Sequence, residues 1–290
     1  MTRRLRTSRP LRHRLTQRVA TVLLGATAAA AVLGAGSAAA APADDATSAL
    51  SGLANSSSDL DIPGLLSTIP GLSDLLGTKG ATGTTRCTSV IQIGDSTSVG
   101  IDTAAKVPAA DDTLSAQYKR VGATTVDLDA DGGRSIVEKV NGQPNAAEAV
   151  ATHLAKGEKG CWVIAMGVND AANIAVGSTV DADERIARIM TQLQGQPVLW
   201  PTVATSNPSV KGYTAEAMTS FNNALRRAVV RYSNLAVYDW AAAAQPAQFV
   251  DGIHYTAEGT AERNRRFADA LATAFPPGTG STPASKWISG

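Results

Sequence analysis

The 290-residue chain carries 26 Lys+Arg and 25 Asp+Glu, and seven of the arginines (Arg3, Arg4, Arg6, Arg9, Arg12, Arg14 and Arg18) fall in the first forty residues, which hold no acid. Setting those seven aside leaves 19 basic against 25 acidic side chains, a net charge of −6. That sign argues against nucleic acid as a partner, since such proteins present a basic face, and against electrostatic docking on anionic lipid.

Reading in chain order, the arginine-rich start gives way to an apolar, Ala-rich run from Val19 to about Gly36, then to Ala38-Ala39-Ala40-Ala41-Pro42. A positive n-region, an apolar h-region and an A-x-A site together predict a secretory signal peptide over residues 1–40, cut after Ala40. The alternative is an uncleaved membrane anchor, for which the run lies near the lower length limit. Either reading puts the protein outside the cytoplasm, secreted or in the cell envelope. Residues 41–85 are rich in Ser, Ala, Gly, Thr and Asp and read as a flexible linker. Ile62-Pro63-Gly64-Leu65-Leu66, partly repeated as Ile69-Pro70-Gly71-Leu72, interrupts it. That stretch is either an apolar segment packed on the domain or a docking peptide for a membrane partner.

Residues 86–275 are one domain's worth of chain, and 276–290 read as a flexible tail. Candidate strands are 89–93, 124–128, 162–166, 197–200 and 236–238. Candidate helices are 135–140, 146–156, 181–193, 215–232 and 257–275. Alternation of strands with helices predicts βαβ units. The expected architecture is a three-layer α/β/α sandwich on a five-stranded parallel sheet, flavodoxin-like. Cys87 and Cys161 each precede a candidate strand, so neighbouring strands would bring them within bridging distance. In an exported chain an even cysteine count favours a disulfide; the alternative is two buried thiols.

In parallel sheets, sites form at the carboxyl ends of the strands. The first candidate strand ends in Gly94-Asp95-Ser96-Thr97-Ser98, where a serine on a turn into a helix is placed as a nucleophile; Asp95 is expected to bond within that turn. The same turn lacks the glycine pattern and lysine of nucleotide-binding loops. The second leads to Asp131-Gly132-Gly133-Arg134-Ser135, a plain turn or a loop offering the Gly133 N–H to an oxyanion. The third ends in Gly167-Val168-Asn169-Asp170; Asn169 is either a helix N-cap or an amide donor to developing charge. Near the C-terminus comes Asp251-Gly252-Ile253-His254-Tyr255-Thr256, in which an acid can fix the tautomer of His254. The other histidine past residue 40, His153, sits in a charged helical stretch and is expected to face solvent.

Four strand ends thus supply, in order, nucleophile, backbone donor, amide donor and acid–base pair. The blocks Gly94-Asp95-Ser96, Gly133, Gly167-Val168-Asn169-Asp170 and Asp251-Gly252-Ile253-His254 resemble those of the SGNH/GDSL hydrolase superfamily, over about residues 88–275. Gly133-Arg134-Ser135 resembles the carbohydrate acetylesterase version. Gln92 to Ser96 and Asp251 to Thr256 are similar to the extracellular catalytic domain of peptidoglycan O-acetyltransferases. The resemblance implies a catalytic triad of Ser96, His254 and Asp251, an oxyanion hole of Ser96 N–H, Gly133 N–H and the Asn169 amide, and no metal or cofactor. It implies a secreted esterase for short acyl esters, with acylated envelope carbohydrate as substrate. The alternatives are an O-acyltransferase, which would need a membrane acyl-donor protein as partner, and a wall-binding module without activity.

Overall fold

The structure is a computed structural model that describes residues 83–290. The expected signal peptide at 1–40 and nearly all of the 41–85 linker, with its Ile-Pro-Gly-Leu segments, lie outside the described residues.

Six strands, β1 (Ser89–Gly94), β2 (Thr125–Ala130), β3 (Cys161–Ala165), β4 (Val198–Pro201), β5 (Leu235–Tyr238) and β6 (Trp287–Ile288), form a sheet of order β2-β1-β3-β4-β5-β6. Every pairing is parallel. The helices are α1 (Leu114–Arg120), α2 (Ala146–Ala155), α3 (Val168–Ala175), α4 (Ala182–Met190), α5 (Ala215–Arg231), α6 (Trp240–Ala243) and α7 (Ala257–Ala274). Strand side chains alternate between two faces. On one face Ile91, Ile93, Trp162, Ile164 and Trp200 pack with α2 to α5; on the other Val90, Val163, Leu199 and Ala236 pack with α1 and α7. Because both faces are covered, the central strands read as continuous apolar runs, and β3, β4 and β5 are buried along their whole length. This is the expected three-layer α/β/α sandwich.

Local sequence explains where the helices start. Asn145 and Glu148 form a reciprocal capping box on α2, and Thr214 and Thr256 cap α5 and α7 with their side chains. In α5, Met218, Phe221, Leu225, Ala228 and Val229 recur at helical spacing and all enter the core. Each fully buried large side chain of this kind contributes about 1.5–3 kcal/mol.

The structure corrects several expectations. The sheet has six strands, not five: the sixth comes from the tail read as flexible. Val237 N–H donates to Lys286 O (2.8 Å) and Asp239 N–H to Ile288 O (2.8 Å), while the Arg226 guanidinium stacks 3.9 Å over Trp287. The tail thereby pairs the backbone edge that β5 would otherwise expose. Residues 135–140 are not a helix. The Ile136 N–H is taken by the Asp170 carboxylate (2.9 Å) and the Glu138 N–H by Ser135 Oγ (3.0 Å), so side chains replace the helical ladder. Helices α1 and α6 were not expected, and α3 was anticipated only in the reading of Asn169 as a helix N-cap. His153 does not face solvent. Its side chain is 5% exposed, lies between Glu158 (2.5 Å) and Asp129 (3.2 Å), and meets Trp162 edge-on. Ala146, Ala149, Val150 and His153 share the helical stripe that faces the sheet.

Cys87 and Cys161 are disulfide-bonded, Cα atoms 5.6 Å apart, at the amino ends of the neighbouring strands β1 and β3. The bridge spans a sequence separation of 74; loop-closure entropy on that scale stabilises by about 4 kcal/mol, or roughly 10 °C in Tm. Thermal melts with and without reductant are expected to differ by that order. An unchanged Tm together with two alkylatable thiols in unreduced protein would contradict the bridge.

Candidate active site

Register brings the site together. Gly94, the last residue of β1, lies opposite Ala130 in β2 and Ala165 in β3, so the segments carrying Ser96, Gly133 and Asn169 leave the sheet side by side.

Ser96 opens a single 3-10 turn, Ser96–Ser98, capped by Asp95, whose Oδ1 accepts from Thr97 N–H (2.9 Å) and Thr97 Oγ1–H (2.7 Å). Burial pushes the Asp95 carboxyl up against the pull of the Thr97 bonds. Asp95 therefore shapes the turn, and Ser96 itself is half-buried.

His254 Nε2 lies 2.9 Å from Ser96 Oγ, and its Nδ1 lies 2.8 Å from Asp251 Oδ2. The other Asp251 oxygen accepts from Ile253 N–H (2.9 Å) and His254 N–H (2.7 Å). Burial pushes the Asp251 carboxyl up, but these bonds from the His254 ring and the two backbone N–H groups outweigh it and hold the group below the usual carboxylate range. An ionised Asp251 requires the proton on Nδ1, which leaves Nε2 free to accept from Ser96. Gly252 makes this tight loop possible. Its φ is +84° and its carbonyl accepts from Ser206 N–H (2.8 Å); a Cβ there would sit 2.6 Å from Ser206 O.

Asn169 is the second residue of α3, whose N-cap is Gly167 with no side-chain cap bond. Asn169 is thus not the cap. Its Nδ2 donates to Arg134 O (2.8 Å) and its Oδ1 accepts from Tyr213 Oη–H (2.7 Å). Gly167 has φ +131°, and a Cβ there would lie 2.5 Å from the Phe221 ring, so only glycine lets the chain turn from β3 into α3 at this point. Gly133 sits in a loop held by its neighbour. Arg134, 4% exposed, bonds Asp129 Oδ1 (2.8 Å), Asp131 Oδ2 (2.6 Å) and Asp129 O (2.9 Å). Ser96 and Asp251 are therefore linked through His254, and Asn169 and Gly133 are joined through Arg134.

Among solved structures, the lipase/acylhydrolase from Enterococcus faecalis superposes with a TM-score of 0.50 at 16% identity, over 66% of this chain and 99% of its own. The chain has the SGNH hydrolase fold. Also similar are a carbohydrate acetylesterase family member from Sinorhizobium meliloti (17% identity, 63% of this chain and 97% of that one, TM-score 0.49) and the M. smegmatis aryl esterase (17%, 63% and 97%, TM-score 0.49). No protein-family model matches the chain, and no curated protein matches it.

On this SGNH scaffold three residues shape the site without having been singled out from sequence. Asp170 is fully buried, accepts from Ile136 N–H (2.9 Å) and pairs with Arg185 Nη1 (2.8 Å); burial, only partly offset by these partners, raises its carboxyl to about 6. Arg185, also fully buried, continues the network to Glu138 and Ser178 and so ties the loop after β2 to α4. Asp170 adjoins Asn169 in sequence, and that adjacency was the available signal. Tyr213 stands 44 residues from Asn169 and gave none. Asp127, His153 and Glu158 offer possible cation ligands within 4.8 Å of one another, but none of them belongs to the Ser96–His254–Asp251 group.

Proposed function

We propose that the chain is a secreted serine esterase that cleaves short acyl esters, with acylated envelope carbohydrate as its substrate class. The observation that carries this reading is the unbroken line of contacts from Asp251 through His254 to Ser96, at 2.8 and 2.9 Å. The shared fold and the Gly133-Arg134-Ser135 likeness support the chemistry and the sugar. Export is supported by the signal-type N-terminus and by a disulfide, which persists in oxidising compartments.

Ser96 Oγ attacks the ester carbonyl carbon as His254 Nε2 takes its proton. The tetrahedral oxyanion is met by the Ser96 and Gly133 N–H groups and by the Asn169 amide. The C–O bond to the alcohol breaks, His254 returns the proton to the leaving oxygen, and the acyl group stays on Ser96. Water, deprotonated by His254, attacks the acyl-enzyme and releases the acid. Asp251 orients His254 and stabilises the imidazolium in both halves.

The full chain is expected to release free acetate from 4-nitrophenyl acetate and from an acetylated sugar, with or without a sugar acceptor. Acetylated acceptor as the main product would replace hydrolysis by transfer; no acyl release at all would overturn the reading. Asn169→Ala is expected to lower kcat by roughly 10²–10³-fold, the usual effect of losing one oxyanion donor. Near-full activity would remove Asn169 from the oxyanion site.

A further inference from the structure

We propose that Tyr213 is a positioning residue for the oxyanion donor: its hydroxyl fixes the Asn169 side-chain amide so that one N–H points at the reacting oxygen. The inference rests on the serine esterase reading and extends it to a residue outside every motif block.

The geometry leaves the amide one orientation. Asn169 is 6% exposed, so its polar atoms depend on protein partners. A carbonyl, Arg134 O, stands 2.8 Å from Nδ2 and accepts one of its two hydrogens; turning the amide over would set two oxygens against each other. Tyr213 Oη–H donates to Oδ1 at 2.7 Å from the other side. With Oδ1 occupied and one hydrogen on Arg134 O, the second Nδ2 hydrogen is the free donor. Burial and the nearby Asp95 charge raise the pKa of the phenol, which favours its protonated, donating form.

Tyr213 is itself held in place. It ends the connection between β4 and α5, where its carbonyl accepts from Thr205 Oγ1–H (3.0 Å) and its N–H donates to Val210 O (3.3 Å). Gly212 beside it presses on α3: a Cβ at Gly212 would lie 2.7 Å from Ala172 O. The same connection bonds the His254 loop through Ser206 N–H and Gly252 O. One segment thus touches both the helix that carries the oxyanion donor and the loop that carries the base.

The test is a double-mutant cycle on the full chain with 4-nitrophenyl acetate. Tyr213→Phe keeps the ring and removes only the hydroxyl. It is expected to lower kcat roughly tenfold, the fold-change of one lost hydrogen bond, with KM within about twofold and the acid limb of the pH profile unmoved. In an Asn169→Ala background the same change is expected to cost nothing further, because the amide it positions is gone. Melting temperatures of all four proteins separate this coupling from general loosening. If Asn169→Ala is slow but Tyr213→Phe matches wild type, or if the two losses multiply, the positioning role is overturned and the esterase reading stands. If Asn169→Ala is itself fully active, the oxyanion role of Asn169 falls, and the role of Tyr213 with it.

Discussion

Ser96→Ala is expected to abolish ester turnover, by roughly 10⁴–10⁶-fold in kcat, while leaving the fold and Tm essentially as they are. The loss is large because nucleophile and base act as one unit: without Oγ, His254 has no proton to take and no covalent intermediate forms. The fold is spared because the Ser96 hydroxyl contacts His254 (2.9 Å) and the turn is held instead by Asp95 with Thr97. Ser98 is the control. It is fully buried, its hydroxyl has Gln92 Nε2 at 3.4 Å and Arg263 Nη2 at 3.5 Å, and no substrate can reach it. Ser98→Ala is expected to stay active. Steady-state kinetics with circular dichroism on both variants checks the pair; an active Ser96→Ala enzyme would mean another nucleophile.

Asp251→Asn is expected to lower kcat by roughly 10³–10⁴-fold and to change KM little. One Asp251 oxygen is fixed by two backbone N–H groups, from Ile253 and His254, which need an acceptor. The asparagine must therefore keep its oxygen there and turn its NH₂ toward His254 Nδ1. Nδ1 then has to accept, the imidazole proton moves to Nε2, and the nitrogen facing Ser96 can no longer take a proton. The pH dependence of the wild type separates the two roles. Asp251 is held below the usual carboxylate range despite the opposing effect of burial, so it stays an anion beside His254 through the neutral range. Activity is expected to show no step from Asp251 across the neutral range, because its carboxylate is already ionised there. A near-normal kcat in Asp251→Asn, or a step in the wild-type rate near neutral pH that Asp251→Asn removes, would contradict these roles.

The residues that were legible in sequence are those whose signal is local. A serine and an asparagine stand within a few residues of strand ends, which parallel topology brings side by side, and an Asp-x-x-His group stands just before the last helix. The two cysteines were legible for the same reason, each at the start of a strand. What escaped is built from long-range contacts. Tyr213 reaches Asn169 across 44 positions, and Arg185 reaches Glu138 across 47; nothing in their neighbourhoods marks either. Residues 135–140 have helix-compatible composition, but Asp170 and Ser135 take the N–H groups a helix would use. Strand β6 is two residues long, too short for a periodic pattern, and exists because β5 has an open edge. His153 is the one miss that spacing contradicts: positions 146, 149, 150 and 153 form a single helical stripe, and the charged neighbours obscured it.

The most direct measurement is covalent labelling of the full chain with a fluorophosphonate, followed by peptide mapping. Phosphonylation confined to Ser96, lost in Ser96→Ala and strongly slowed in His254→Ala, is the expected result. Label on another residue, or none on a folded protein that still turns over ester, would contradict a Ser96–His254–Asp251 hydrolase.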